Sequence, residues 1–180
     1  MPDAAAPATS ELTHFALVPE RSTIVVAARS SVGPINFTGQ GPVGDFACVV
    51  AGDQIDLSTP PAGSMTLQVA ELSSGNAVYD AELARRIDAR RYPTTTIALL
   101  GATSAAAEGR VELMASLDFH GVTRPVDGVV TAEVFDGERV VVTGEKVIDI
   151  RDFEIPSPQM LLLKIYPTVR VHLFLEATKV

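Results

Sequence analysis

The chain has 180 residues, long enough for one well-buried core and too short for two ordinary domains. Hydrophobic residues make up 47% of it, and no run on the order of 18 residues is both apolar and uncharged, which excludes a disordered chain and an ordinary transmembrane helix. A formal charge of −8, from 22 acidic and 14 basic residues, repels phosphate backbones and anionic bilayers, so neither nucleic acid nor stable membrane insertion is expected.

Residues 1–12 open on Ala and Pro without the basic start and apolar run of a secretory signal. The expectation is a flexible leader on a cytoplasmic protein, followed by a single domain over 13–180. A first strand is expected at 23–29 and a second at 46–57, with Gly33-Pro34 and the Gly39, Gly41, Gly44 stretch read as turns. That glycine stretch lacks the Lys-Ser/Thr of a phosphate loop. Cys48, the only cysteine, sits among Ala47, Val49 and Val50 and reads as a small buried hydrophobe. Pro60, Pro61 and Gly63 mark another turn, and a strand follows at 65–71.

Residues 76–91 break this rhythm. The stretch is charged, has no internal Gly or Pro, and stops at Tyr92-Pro93. Asn76 or Asp80 can cap it, Leu83 and Ile87 share a face, and Glu82 pairs with Arg86 at i,i+4, so one helix of about two to three turns is expected.

Strands resume at 95–102 and 110–120. In the latter Val111, Leu113, Ala115, Leu117 and Phe119 fall on one face, and Glu112, Ser116, Asp118 and His120 on the other. Further strands are expected at 126–135 and 140–150, joined by an Asp136-Gly137 hairpin. The last strand alternates Val169, Val171, Leu173, Leu175 and Ala177 with Arg170, His172, Phe174 and Glu176. Before it, five of the six residues 160–165 are apolar without alternating. That segment is open to several readings: a doubly buried strand, a lid, a membrane or donor contact, or the patch of a homodimer.

So many strands around one helix give a mainly β fold, a closed antiparallel barrel of about eight strands with one interrupting α-helix. No catalytic constellation accompanies it. His14, His120 and His172 lack metal-ligand spacing, Cys48 has no histidine partner in sequence, and no nucleophile elbow is present, so catalytic residues, metal and cofactor are all expected to be none.

The run from Leu117 to Val126, Leu-Asp-Phe-His-Gly-Val-Thr-Arg-Pro-Val, resembles the strand–turn–strand signature of the YceI-like family of polyisoprenoid-binding, lipocalin-like proteins. The segment from Ile87 to Tyr92-Pro93 and the later Asp152-Phe153 with Ile155 are similar to two further family segments, in the same order. Some positions depart from the pattern. Glu154 stands where the family usually has Gly, Arg151 directly precedes Asp152, Ile97 replaces a Phe, Arg29-Ser30-Ser31 brings no His, and there is no Trp.

The resemblance implies a non-enzymatic protein that binds or carries an isoprenoid-type lipid, polyprenyl or quinone, in the barrel lumen. Such a tail gains about 0.8 kcal/mol per buried CH₂ and needs no positioned acid or base. The inward candidates, chosen by strand parity, are Val26, Phe46, Leu67, Val69, Leu113, Leu117, Val129, Leu173 and Leu175, with Phe37 and Phe153 near the barrel ends. Arg85, Arg86, Arg90 and Arg91 could meet a polar head group or form a solvated face balanced by Asp80, Glu82 and Asp88. His120 reads as a turn anchor. Two other functions stay open: a protein-interaction or stress-response scaffold without a ligand tunnel, and an enzyme using Arg29, His120, Asp152 or Glu154. Alternation alone does not say whether the lumen is hollow.

Overall fold

A computed structural model describes residues 11–156, 159–160 and 163–180. In chain order these form β1 (Leu12–Leu17), a 3-10 turn (Pro19–Arg21), β2 (Thr23–Ser30), β3 (Gly33–Gln40), β4 (Val43–Ala51) and β5 (Gln54–Asp56). Then come β6 (Ala62–Gln68), β7 (Leu72–Ser73), α1 (Ala77–Arg86), β8 (Thr94–Ser104), β9 (Arg110–Phe119) and β10 (Val122–Phe135). The chain continues as β11 (Arg139–Asp149), β12 (Gln159–Met160), β13 (Leu163–Lys164) and β14 (Thr168–Lys179).

Eight strands close a ring in the order β1-β4-β6-β8-β9-β10-β11-β14, with β14 pairing back onto β1, every neighbour antiparallel. The mainly β barrel with one helix is thus the fold. Closure removes the free edges that an open sheet of such apolar strands would expose. Phe15, Cys48, Val134, Val140 and Ala177 pack one end of the ring, while Val69, Ile87, Leu117, Phe153 and Ile155 pack the other.

β14 changes partner along one edge. Its residues Arg170–Phe174 pair with β2, whereas Ala177–Lys179 pair with β1. The link between β1 and β2 is stitched to the change-over point, where Val18 N–H donates to the Glu176 carbonyl (2.8 Å) and Glu176 N–H donates to Ser22 Oγ (3.1 Å). Arg21 (2.8 Å) and Arg139 (3.5 Å) meet the Glu176 carboxylate, which explains how an outward-facing acid can be only 6% exposed. Beyond this point β2 and β3 extend the wall, and β3 pairs with the short β7, from which the chain enters α1.

Local chemistry sets the helix bounds. Asn76 Oδ1 accepts from Val78 N–H (3.0 Å) and Tyr79 N–H (3.3 Å), so Asn76 is the N-cap. Asp80 instead holds the preceding loop, accepting from Ser73 Oγ, Ser74 N–H and Ser74 Oγ at 2.6–2.7 Å. The expected helical stretch to residue 91 ends early, at Arg86. Asp88 enters the left-handed region (φ 46°), and Ala89 N–H reaches back to the Ala84 carbonyl (2.9 Å) in a Schellman closure.

Several strand expectations are corrected. The single strand at 46–57 is a hairpin, because Gly52-Asp53 makes a two-residue turn that pairs Ala51 with Gln54. The glycines and proline between 33 and 40 lie within β3, full partner of β2. Pro34 fits because it is an exposed residue near the strand's start. The strand expected at 65–71 stops at Gln68, and Val69–Glu71 turn as a 3-10 segment. β1 begins at Leu12, the last residue assigned to a leader; residues 1–10 of that leader lie outside the described residues. Of the apolar segment 160–165, residues 161 and 162 also lie outside them.

The two expected glycine hairpins stand in place. Asp136-Gly137 (φ 53° and 67°) joins β10 to β11, and His120-Gly121 (φ 55° and 74°) joins β9 to β10, the two positive φ values that a type I′ turn requires.

Candidate functional site

Strand alternation turns one face of every ring strand toward a lumen, and side chains do not fill it. A cavity of about 200 Å³ lies under α1, walled by β2, β3, β6, β8, β9, β11 and β14. Its lining includes Ile24, Val26, Phe37, Leu67, Ile97, Leu117, Val171 and Leu173 from the strands, and Leu83 and Ile87 from the helix segment. Only Tyr79, Glu82, Arg86 and Thr95 bring polar atoms, and three of these belong to α1. A second chamber of about 160 Å³ lies deeper in the ring, lined by Phe46, Leu113, Val140, Leu175 and others, with Met65, Ile97 and Leu173 common to both. Cys48 also borders the deeper chamber, and burial pushes its thiol up to about 11, so it is an inert wall group.

The polar end of the helix-side cavity is built by helical spacing. Glu82 and Arg86 are one turn apart, and Arg86 Nε donates to Glu82 Oε1 (2.6 Å). Arg85 clasps the same carboxylate with Nε (3.0 Å) and an η nitrogen (2.7 Å). These hydrogen bonds, that of Arg85 foremost, hold the Glu82 carboxyl below the ordinary glutamate value. Glu82 and Arg86 keep only 16% and 15% side-chain exposure, which places at the edge of an otherwise oily space a carboxylate shared by two guanidiniums, that of Arg86 sheltered and that of Arg85 exposed. Arg91, which does not line the cavity, lies over the Tyr92 ring (5.3 Å).

The signature hairpin lies at the same end of the barrel. His120 Nδ1 donates to the Phe153 carbonyl (3.0 Å), its ring leans on Tyr92 (4.9 Å between centroids), and Arg124 Nε donates to the Asp152 carbonyl (3.0 Å). A Cβ on Gly121 would stand 2.5 Å from the Tyr92 ring, so glycine is needed there for space as well as for φ. These contacts anchor the segment Ile150–Phe153 and the Tyr92-Pro93 junction to the turn.

The inward candidates divide three ways. Val26, Phe37, Leu67, Leu117 and Leu173 line the helix-side chamber, and Phe46, Leu113, Leu173 and Leu175 line the deeper one. Val69 and Phe153 are buried (3% and 2%) in the packed cluster with Ile87 and Ile155, outside both linings; Phe153 meets Phe119 edge-on. The inward expectation for Val129 is corrected. It pairs with Glu112 and is 36% exposed, whereas Val130, paired with Val111, is buried. Adjacent valines leave parity undecided at that point. The inward candidates left out Ile24, Ile35 and Met65, which share the faces of Val26, Phe37 and Leu67, as well as Ile97 and the helix residues. The helix face was visible in the Leu83–Ile87 and Glu82–Arg86 spacings, but nothing local says that this face looks into a barrel.

The model for the YceI-like domain matches residues 15–177. The chain belongs to the YceI-like family. Solved structures of similar shape include BcnA of Burkholderia cenocepacia, with 17% identity over 90% of this chain and 99% of that one, at a TM-score of 0.74. A polyisoprenoid-binding domain from Saccharophagus degradans, implicated in plant cell wall breakdown, shares 16% identity over 92% and 98% of the two chains, at a TM-score of 0.71. The Campylobacter jejuni YceI protein aligns over 75% of this chain and 83% of its own at a TM-score of 0.55 and 16% identity. No curated protein sequence matches the chain. Among the described residues no helix of this YceI-like chain is long and apolar enough to cross a membrane, and no group of three or more His, Cys, Asp or Glu could hold a metal.

Proposed function

We propose that this YceI-like protein is a non-enzymatic carrier that holds the tail of an isoprenoid-type lipid, a prenyl alcohol or prenyl quinone, in its lumen. The observation that carries this reading is a hollow, apolar chamber whose polar groups gather at one end. That polarity matches an amphiphile: a tail among Ile24, Phe37, Leu67 and Leu117, with its head near Tyr79, Thr95 and the Glu82–Arg86 pair. Burying the tail supplies about 0.8 kcal/mol per CH₂, so affinity requires no charged anchor. Membership of a family with a polyisoprenoid-binding relative agrees with the same reading.

Native mass spectrometry of gently purified protein, followed by organic extraction, tests it. Co-purified prenyl lipid, or uptake of added prenol with one molecule per chain, is the expected result. A chain that arrives empty and takes up no prenyl alcohol or quinone in a titration overturns the reading.

A further inference from the structure

The two chambers are separated by a collar of three side chains. Met65 on β6 and Ile97 on β8 are directly paired across adjacent strands. Leu173 stands on β14, four places from β8 in the ring of eight and therefore on the opposite wall. All three border both cavities, and Leu173 packs in the same cluster as Met65 and Ile97. Met65 is only 9% exposed and is the one unbranched, flexible member of the collar.

The volumes give the collar a meaning. The helix-side chamber, about 200 Å³, accommodates on the order of a dozen methylene-sized groups, roughly two to three isoprene units. A longer tail has to pass Met65, Ile97 and Leu173 to reach the further 160 Å³ beyond. Resting on the carrier reading above, we infer that Met65, with Ile97 and Leu173, sets the tail length this protein accepts. The ligand class is a short-tailed prenyl lipid seated wholly on the helix side, with the second chamber left beyond the collar. Each methylene that finds no apolar surface adds nothing to binding, so affinity rises with tail length only up to the collar.

The test is a calorimetric titration of the full chain with geraniol, farnesol and geranylgeraniol, repeated on Met65→Ala and Leu173→Val. The wild-type chain is expected to gain affinity from geraniol to farnesol and to bind geranylgeraniol within about threefold of farnesol. Met65→Ala opens the collar and should make geranylgeraniol at least about tenfold tighter than farnesol, a difference of about 1.4 kcal/mol. Leu173→Val, which removes one methylene and keeps a branched side chain, should move the ratio the same way by a smaller factor; it carries the test if the alanine variant fails to fold. Wild-type affinity that climbs tenfold from farnesol to geranylgeraniol overturns the inference, as does a ratio that neither variant shifts. Binding of none of the alcohols by any folded variant instead overturns the carrier reading on which it rests.

Discussion

Glu154 occupies a left-handed backbone position (φ 59°) at the end of the 3-10 turn Ile150–Phe153, where its N–H closes back onto the Arg151 carbonyl (3.1 Å). A Cβ in that conformation costs roughly 1–2 kcal/mol, partly offset in glycine by its greater unfolded entropy. Glycine is the residue expected there from the family pattern, and the left-handed φ is the physical reason. Glu154→Gly is expected to raise stability by about 0.5–1 kcal/mol, read as a higher urea midpoint at unchanged m-value. Glu176 makes a different prediction. Its hydrogen bond from Arg21 holds the carboxyl below the usual glutamate value, so its contribution is present above the unfolded-state pKa and disappears as pH falls through the lower folded value. Glu176→Gln should therefore lower the melting temperature at neutral pH, with the gap to wild type closing as the solution is acidified below the ordinary carboxylate range. A gap that stays constant down to acid pH would show that the ion pair contributes nothing.

At the scale of elements, α1 is the most weakly rooted wall of the lumen. None of its residues from Ala77 to Arg86 is fully buried; Leu83 and the following Ile87 tie it to the barrel, and Asn76 starts it. Asn76→Ala should cost about 1 kcal/mol. Because the cap acts on the segment that roofs the helix-side chamber, the same variant should show faster amide exchange over residues 77–86 than over β9 and β10. The elements also show what a sequence can and cannot reveal. β9 and β14 were legible because each has one consistently apolar parity, and the Asp136-Gly137 turn because its chemistry is local. β3 was not, since its glycines and Pro34 look like turn residues; Gly39 is there because Leu67 and Leu72 crowd its backbone, with a Cβ meeting Leu67 at 2.9 Å. Val129 failed for the complementary reason, that apolar residues on both parities carry no phase information.

For the whole molecule, the barrel was readable and its hollowness was not. A void is the difference between the volume enclosed by eight strands and the volume of the side chains pointing inward, so no segment contains the answer by itself. The polar end of the chamber is likewise long-range: Thr95 on β8 lines the same space as the α1 residues only because the chain from β7 to β8 passes over it. The ring order gives a prediction at this scale. β2, β3 and α1 lie outside the closed ring of eight, so their amides should exchange through a lower-energy opening than those of β9, β10 and β11. Equal protection throughout, matching global unfolding, would show a single cooperative unit.

The change of partner along β14 makes Glu176 a stop on a zipper. Peeling that starts at the mouth can separate β2 from Phe174 and Arg170 and swing the β2–β3 hairpin outward, then halts where β14 passes to β1 and the Val18, Ser22 and Arg21 contacts clamp the seam. If the lumen carries a cargo as proposed, two rates that a uniform barrel would tie together come apart: release would follow the opening of the β2 arm, Arg170–Phe174, while the lifetime of the fold belongs to the closed ring.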